Sequence, residues 1–311
     1  MAGTPLVEPA GDGRFVLTFL WRGAERNVRL FGGPSAEHDD LQRLGATDVW
    51  YKSYTVPAST RLSYQLAPDV PKGRIDSFRF ASALLGNERK VSIYTPPGGP
   101  AQAMVVLFDG TAYQTKVPTP TILDNLIAEK RIPPTMAVFI DNPDIATRGR
   151  ELPPNPVFAD VLAGDLMDEV RRRTSVAVPA ARTILAGSSF GGLASAYVAS
   201  RHPQVFGGVL SQSGSFWWHP QDGDPTQPVY MARVLLEKPV TPIRFYLEAG
   251  LFETGRAQAT ILDTSHHLRD VLQAKGYEVT YREHAAGHDY ASWRGTLADG
   301  LVALLGPAAG R

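Results

Sequence analysis

Ser189 stands between two glycines, in Gly187-Ser188-Ser189-Phe190-Gly191, directly after the apolar run Ile184-Leu185-Ala186. A serine on a turn that tight is lifted off the end of a strand, and side chains on its neighbours would collide, so glycine flanks it. The alanine-rich stretch from Gly192 to Ser200 reads as the helix that follows. Its free N–H groups favour negative charge developing beside the serine. The pattern is a nucleophile elbow, and the chemistry is attack of an activated serine on an ester or acyl carbonyl.

Such a serine needs a base, an acid behind the base, and two N–H donors for the oxyanion. In an α/β-hydrolase the chain order is serine, acid, histidine. Among seven histidines, His38 comes too early, His202 and His219 lie close behind the elbow, and His266 and His267 fall inside a helical run. His284 and His288 follow the last strand. His288, after Gly287 in a loop, is favoured. The same two histidines resemble a metal pair by spacing, but no third ligand accompanies them, so no metal is expected. The acid belongs after the strand Ile243–Leu247, where Glu248 and Glu253 both stand. Glu253, in the loop beyond, is favoured for reach, and a serine–histidine dyad without an acid stays open. The oxyanion donors are expected to be the N–H groups of Phe190 and of Thr111, the latter in Asp109-Gly110-Thr111 after an apolar strand.

Placing these groups requires a particular scaffold. Up to about Leu66 the chain shows short β-like runs, at 14–21, 28–31, 49–56 and 62–66, separated by turn residues. These predict a small antiparallel β-sandwich. A turn-rich stretch at 68–73 suggests a boundary near residue 75, giving an N-terminal domain over 1–75 and a catalytic domain over 76–311. Beyond it, strands at 89–95, 104–108, 136–140, 183–186, 206–211, 243–247 and 279–282 alternate with helical stretches at 122–130, 157–173, 257–275 and up to Leu305. That alternation predicts an α/β fold: a mostly parallel sheet with helices on both faces, of the α/β-hydrolase kind.

Composition narrows the field further. Lys plus Arg and Asp plus Glu both number 31 in a chain of 311 residues, so no global basic field suggests nucleic acid. No cysteine is present, which removes disulfides, thiolate metal sites and cysteine catalysis. No apolar run reaches membrane-spanning length, and Met1–Pro5 lacks the features of a signal peptide. The expected location is cytoplasmic, or periplasmic if a leader was removed.

Four blocks carry a more specific resemblance. They are Gly187–Leu193 with Val209–Trp218, then Gly287-His288-Asp289 with Trp293-Arg294-Gly295, then Arg148 with Glu151-Leu152-Pro153 and Asn155, and finally Leu17–Arg22 with Arg43–Trp50. Together they make the chain similar to the enterochelin (enterobactin) esterase family. The resemblance implies a substrate, the ferric complex of a trilactone catecholate siderophore, and no cofactor. Such a complex is strongly anionic, which would give Arg148 and Arg150 a binding role. Trp217 and Trp218 would pack on catechol rings. Two other readings are a feruloyl- or acetyl-type esterase of carbohydrate esters and a siderophore-binding protein without catalysis.

Overall fold

The computed structural model describes residues 4–23, 26–32, 34, 38–60, 62, 64–223, 229–255 and 259–307. Contacts divide the chain into two compact units, Met1–Lys72 with Asp124–Lys130, and Gly73–Leu123 with Arg131–Arg311. The boundary expected near residue 75 lies just inside a strand of the second unit.

The first unit holds seven strands among its described residues: β1 (Leu6–Gly11), β2 (Arg14–Arg22), β3 (Val28–Gly32), β4 (His38–Asp40), β5 (Gln42–Arg43), β6 (Val49–Pro57) and β7 (Tyr64–Pro68). They form two antiparallel sheets, ordered β1-β2-β6-β5 and β4-β3-β7. Alternation decides what each strand buries. Phe19 and Trp50 from one sheet meet Val28 and Leu30 from the other in a small core that Leu41 completes. The Phe19 and Tyr64 rings meet edge-on at 4.7 Å. The turn residue Gly33 and the strand residue Ser63 of the sequence reading lie outside the described residues.

The second unit is built on strands β8 (Arg74–Ser82), β9 (Asn87–Thr95), β10 (Ala103–Phe108), β11 (Thr135–Ile140), β12 (Thr183–Ser188), β13 (Gly208–Gln212), β14 (Arg244–Gly250) and β15 (Glu278–His284). One sheet carries them in the order β15-β14-β13-β12-β10-β11-β9-β8. From β15 to β11 neighbours run parallel, and β9 and β8 are antiparallel. Every residue of β10, β11, β12 and β13 is buried, as apolar strands covered on both faces must be. Each fully buried Leu or Ile there contributes about 1.5–3 kcal/mol.

The helices are α1 (Gly110–Thr115), α2 (Thr119–Ala128), α3 (Ile145–Glu151), α4 (Pro156–Val161), α5 (Met167–Thr174), α6 (Phe190–Arg201), α7 (Tyr230–Leu236), α8 (Ile261–Ala274) and α9 (Tyr290–Leu305). The helical stretch expected at 157–173 is α4 and α5 joined by a π-helical turn, Leu162–Leu166. The expected helix start at Ala257 lies outside the described residues, and α8 opens at Ile261, capped by Thr260. Helix α6 is buried from Gly191 to Ser200, and its small residues let it lie close to the sheet.

Chain order within the sheet locates the functional end. After β10 the chain goes to β11 on one side, then returns to β12 on the other. Open α/β sheets bind ligands where the order reverses, beyond the carboxyl ends of the strands. Here that crevice opens beyond Phe108 and Ser188, at Asp109 and Ser189.

Candidate active site

Ser189 joins β12 to α6 with φ 57° and ψ −122°, a backbone geometry that L-residues rarely adopt. Three main-chain hydrogen bonds hold it there. Its N–H donates to Gln212 O at 3.0 Å, and its carbonyl accepts from Ser215 N at 3.0 Å and Leu193 N at 3.1 Å. The flanking glycines are steric necessities. A Cβ on Gly187 would lie 2.8 Å from the Gly191 carbonyl carbon, and one on Gly192 would lie 2.4 Å from Ser211 Oγ.

His288 lies in the turn between β15 and α9, where Asp289 caps the helix by accepting from Ser292 N at 2.9 Å. Its Nδ1 is 2.5 Å from Glu253 Oε1, and its ring stands perpendicular to Trp293 at 4.9 Å. The other Glu253 oxygen accepts from Gly250 N at 2.7 Å. The turn that delivers Glu253 is tied down by Leu251 N to His284 O at 2.8 Å and Phe252 N to Ala286 O at 3.1 Å. A carboxylate on Nδ1 fixes the tautomer and leaves Nε2 for proton transfer. Ser189, His288 and Glu253 line one cavity of about 330 Å³, with Ser215, Trp217 and Phe252.

The second carboxylate of this region has other company. Glu248, at the end of β14, is 3% exposed. Its Oε1 accepts from Gln212 Nε2 at 2.9 Å and from the Thr296 hydroxyl. Its Oε2 lies 3.4 Å from His284 Nε2, an ion-pair contact longer than a normal hydrogen bond. Contact with Glu248 is the leading cause that raises the His284 pKa above its ordinary value. Gln212 in turn accepts from Tyr113 OH at 2.8 Å. Burial pushes that phenol well above its ordinary value, so it stays a neutral donor.

The other expected site residues are dispersed. Phe190 opens α6, so its N–H has no helical carbonyl behind it to accept. Thr111 departs from expectation. Its N–H donates to Asp141 Oδ1 at 2.6 Å and its hydroxyl to Oδ2 at 2.8 Å, so the proposed oxyanion donor is already committed within the protein. Trp217 faces the cavity and packs on Phe190 at 5.8 Å. Trp218 meets Tyr230 edge-on at 5.5 Å. Arg150 is exposed on α3, with Nη2 2.9 Å from Thr147 Oγ1. Arg148, partly exposed, donates from Nε and Nη2 to the two oxygens of Asp109.

The sequence reading assigned no role to Ser215 or Phe252. Ser215 Oγ lies 3.1 Å from Ser189 Oγ, and Ser215 is 1% exposed. Its signal was its place in Ser213-Gly214-Ser215, just beyond the strand next to the elbow. Phe252 is 69% exposed beside the acid, and nothing in its local pattern singles it out. Among the described residues no cluster of His, Asp and Glu is arranged to hold a metal ion, and no helix is long and apolar enough to cross a membrane.

A sheet of this order with an elbow at its reversal point defines an α/β-hydrolase of the esterase class. Residues 82–304 match the esterase family model, and residues 16–91 match the model of the enterochelin esterase N-terminal region. The chain belongs to the enterochelin esterase family, and it is a carboxylic ester hydrolase. It is 27% identical to an iron(III) enterobactin esterase of Dickeya dadantii over 97% of this chain and 90% of that protein. It is 30% identical to an iron(III) salmochelin esterase of Escherichia coli over 97% of this chain and 91% of that protein. The crystal structure of the enterobactin esterase from Shigella flexneri in the presence of 2,3-dihydroxy-N-benzoyl-serine superposes with a TM-score of 0.67 at 26% identity, covering 97% of this chain and 96% of that one.

Proposed function

We propose that this chain hydrolyses the ester bonds of ferric catecholate trilactones of the enterobactin type, with Ser189 as nucleophile, His288 as general base and then acid, and Glu253 as the acid that orients it. The carrying observation is the 2.5 Å contact of His288 Nδ1 with a buried Glu253, on the cavity that Ser189 also lines. Ser189 Oγ attacks a lactone carbonyl while its proton passes to His288 Nε2. Glu253 supports the imidazolium that results. The oxyanion forms over the Phe190 N–H. The second donor falls to Gly110, which heads α1 and has no room for a side chain, a Cβ there lying 2.8 Å from the Phe139 carbonyl carbon. His288 returns the proton to the departing seryl oxygen, and water then clears the acyl-enzyme by the same route in reverse.

The substrate class rests on the family and on one feature of the cavity. Trp217, which lines it, offers an aromatic wall to a catechol amide arm. Mass spectrometry of products tests the reading, on ferric and iron-free trilactone and on a feruloyl sugar ester, with wild type and Ser189→Ala. Wild type is expected to open the trilactone to linear and then shorter acyl-serine units. Ser189→Ala should lose on the order of 10⁵-fold in rate. Faster turnover of the feruloyl ester would move the assignment to carbohydrate esters. An unlabelled Ser189 after a serine-directed phosphonate, with siderophore still bound, would make the protein a binder.

A further inference from the structure

Asp109, between β10 and α1, has φ 55° and ψ 47°, the left-handed region that a residue with a side chain enters at a cost. Its carboxylate takes three donors. Arg148 Nε reaches Oδ1 at 2.6 Å, Arg148 Nη2 reaches Oδ2 at 2.7 Å, and Asn142 Nδ2 reaches Oδ1 at 3.0 Å. The first two make a fork-to-carboxylate contact, the strongest and most directional that arginine forms. The same guanidinium lies 5.7 Å over the ring of Phe190, the residue after the nucleophile. The helix that carries Arg148 is itself pinned at its end, where Glu151 meets Arg89 at 2.8 Å with both side chains buried.

The location gives the contact its consequence. A Cβ on Gly191 would lie 3.6 Å from Asp109 Oδ2, so this carboxylate sits against the elbow. Left bare, it would oppose the negative charge that an attacked carbonyl develops over the Phe190 N–H. The Asp109 side chain is 10% exposed, so water screens it little. This contact takes up the Nε edge of the guanidinium, so only the Nη1 side is left to face a ligand.

We propose that Arg148 is a positioning residue for the reaction. Its guanidinium locks Asp109, and with it the turn that heads α1, and it neutralises the carboxylate beside the forming oxyanion. This rests on Ser189 as nucleophile, and it holds for any ester the enzyme takes. A substrate-binding arginine would behave differently, acting on KM and only for the anionic ferric complex.

Kinetics on two substrates separates these roles. One is neutral para-nitrophenyl butyrate, and the other is ferric trilactone. Arg148→Met is expected to lower kcat on the neutral ester by on the order of 100-fold, with KM changed less than about threefold. Arg148→Lys restores the charge without the fork and should recover only part of the loss. The Arg148→Met/Asp109→Asn double variant should be no slower than the slower single, because the two act as a unit. Should Arg148→Met fail to fold by circular dichroism, Arg148→Lys and Asp109→Asn carry the same test. A loss confined to KM on the ferric complex overturns the proposal, and so does a double variant whose losses multiply. Turnover of the neutral ester without turnover of trilactone would sink the siderophore assignment and leave the Arg148 test standing. Failure of wild type on both substrates would remove Ser189 as nucleophile, and this proposal with it.

Discussion

Two glutamate–histidine pairs lie a few residues apart at the same end of β14 and β15. Glu253 meets His288 at 2.5 Å, and Glu248 meets His284 at 3.4 Å. The residue types are identical, yet the two pairs are built for different ends. Glu253 touches main chain at Gly250 and one imidazole, and that imidazole reaches the cavity of Ser189. Glu248 is held by Gln212 and Thr296, with its histidine as the weakest partner. Gln212 also accepts the Ser189 N–H through its main-chain oxygen, so the Glu248 network supports the elbow from behind. A carboxylate orients a base when the base is its main side-chain partner. It braces a scaffold when it is shared among several buried donors.

The largest expected effect breaks this contrast most directly. Glu253→Gln keeps the volume but presents an amide to His288, which removes the support for the imidazolium and disturbs its tautomer. We expect kcat to fall by about 10³- to 10⁴-fold with the unfolding midpoint nearly unchanged. Glu248→Gln should lower kcat by less than about tenfold. Steady-state kinetics on one ester decides it. If Glu248→Gln were the slower enzyme, the roles of the two carboxylates would be exchanged.

Stability is expected to rank the two the other way. Glu248→Leu takes the acceptor from the Thr296 hydroxyl and one of the acceptors from Gln212 Nε2, which keeps Trp293 O and Thr296 Oγ1, and a neutral donor left unpaired away from water costs about 1–3 kcal/mol. A loss of roughly 1–3 kcal/mol in urea unfolding is expected for Glu248→Leu, against about 1 kcal/mol or less for Glu253→Gln. Equal losses would mean that the Glu248 network braces nothing.

Little of this sorting was legible in the sequence, for a physical reason. The glycines around Ser189 announce themselves, because only they fit a backbone turned that sharply. The continuous apolar runs of β10 and β11 likewise admit few other readings. Which glutamate meets which histidine depends on the turn at Leu251 and Phe252, whose hydrogen bonds to His284 and Ala286 are long-range and leave no local pattern. Strand β8 escaped notice because it is an edge, mostly exposed and mixed in polarity. Helix α3 escaped because what it buries is polar, Thr147 and Glu151, so it shows no apolar stripe. The resemblance gives Arg148 a substrate-binding role, and its contact with Asp109 leaves no local signal, because the two are distant in sequence and Asp109-Gly110 has the form of an ordinary turn.

The smallest expected effect concerns pH. The His284 pKa is raised from its ordinary 6.5, first by its contact with Glu248, against the opposing effect of burial. A raised folded-state pKa means that the fold prefers the protonated ring. The stabilisation is therefore complete below about pH 6.5 and is lost as pH rises through the folded-state value. His284 is partly exposed, so screening holds the contribution to about 0.5 kcal/mol or less. The stability difference between wild type and His284→Gln should accordingly be larger at pH 5.5 than at pH 8.5, measured by urea unfolding at fixed ionic strength. Activity should not follow the same curve, because His288 and not His284 faces the cavity. A difference independent of pH would show that the contact at 3.4 Å carries no charge-dependent energy. A difference that grew toward alkaline pH would reverse the sign and require Glu248 to prefer a neutral neighbour.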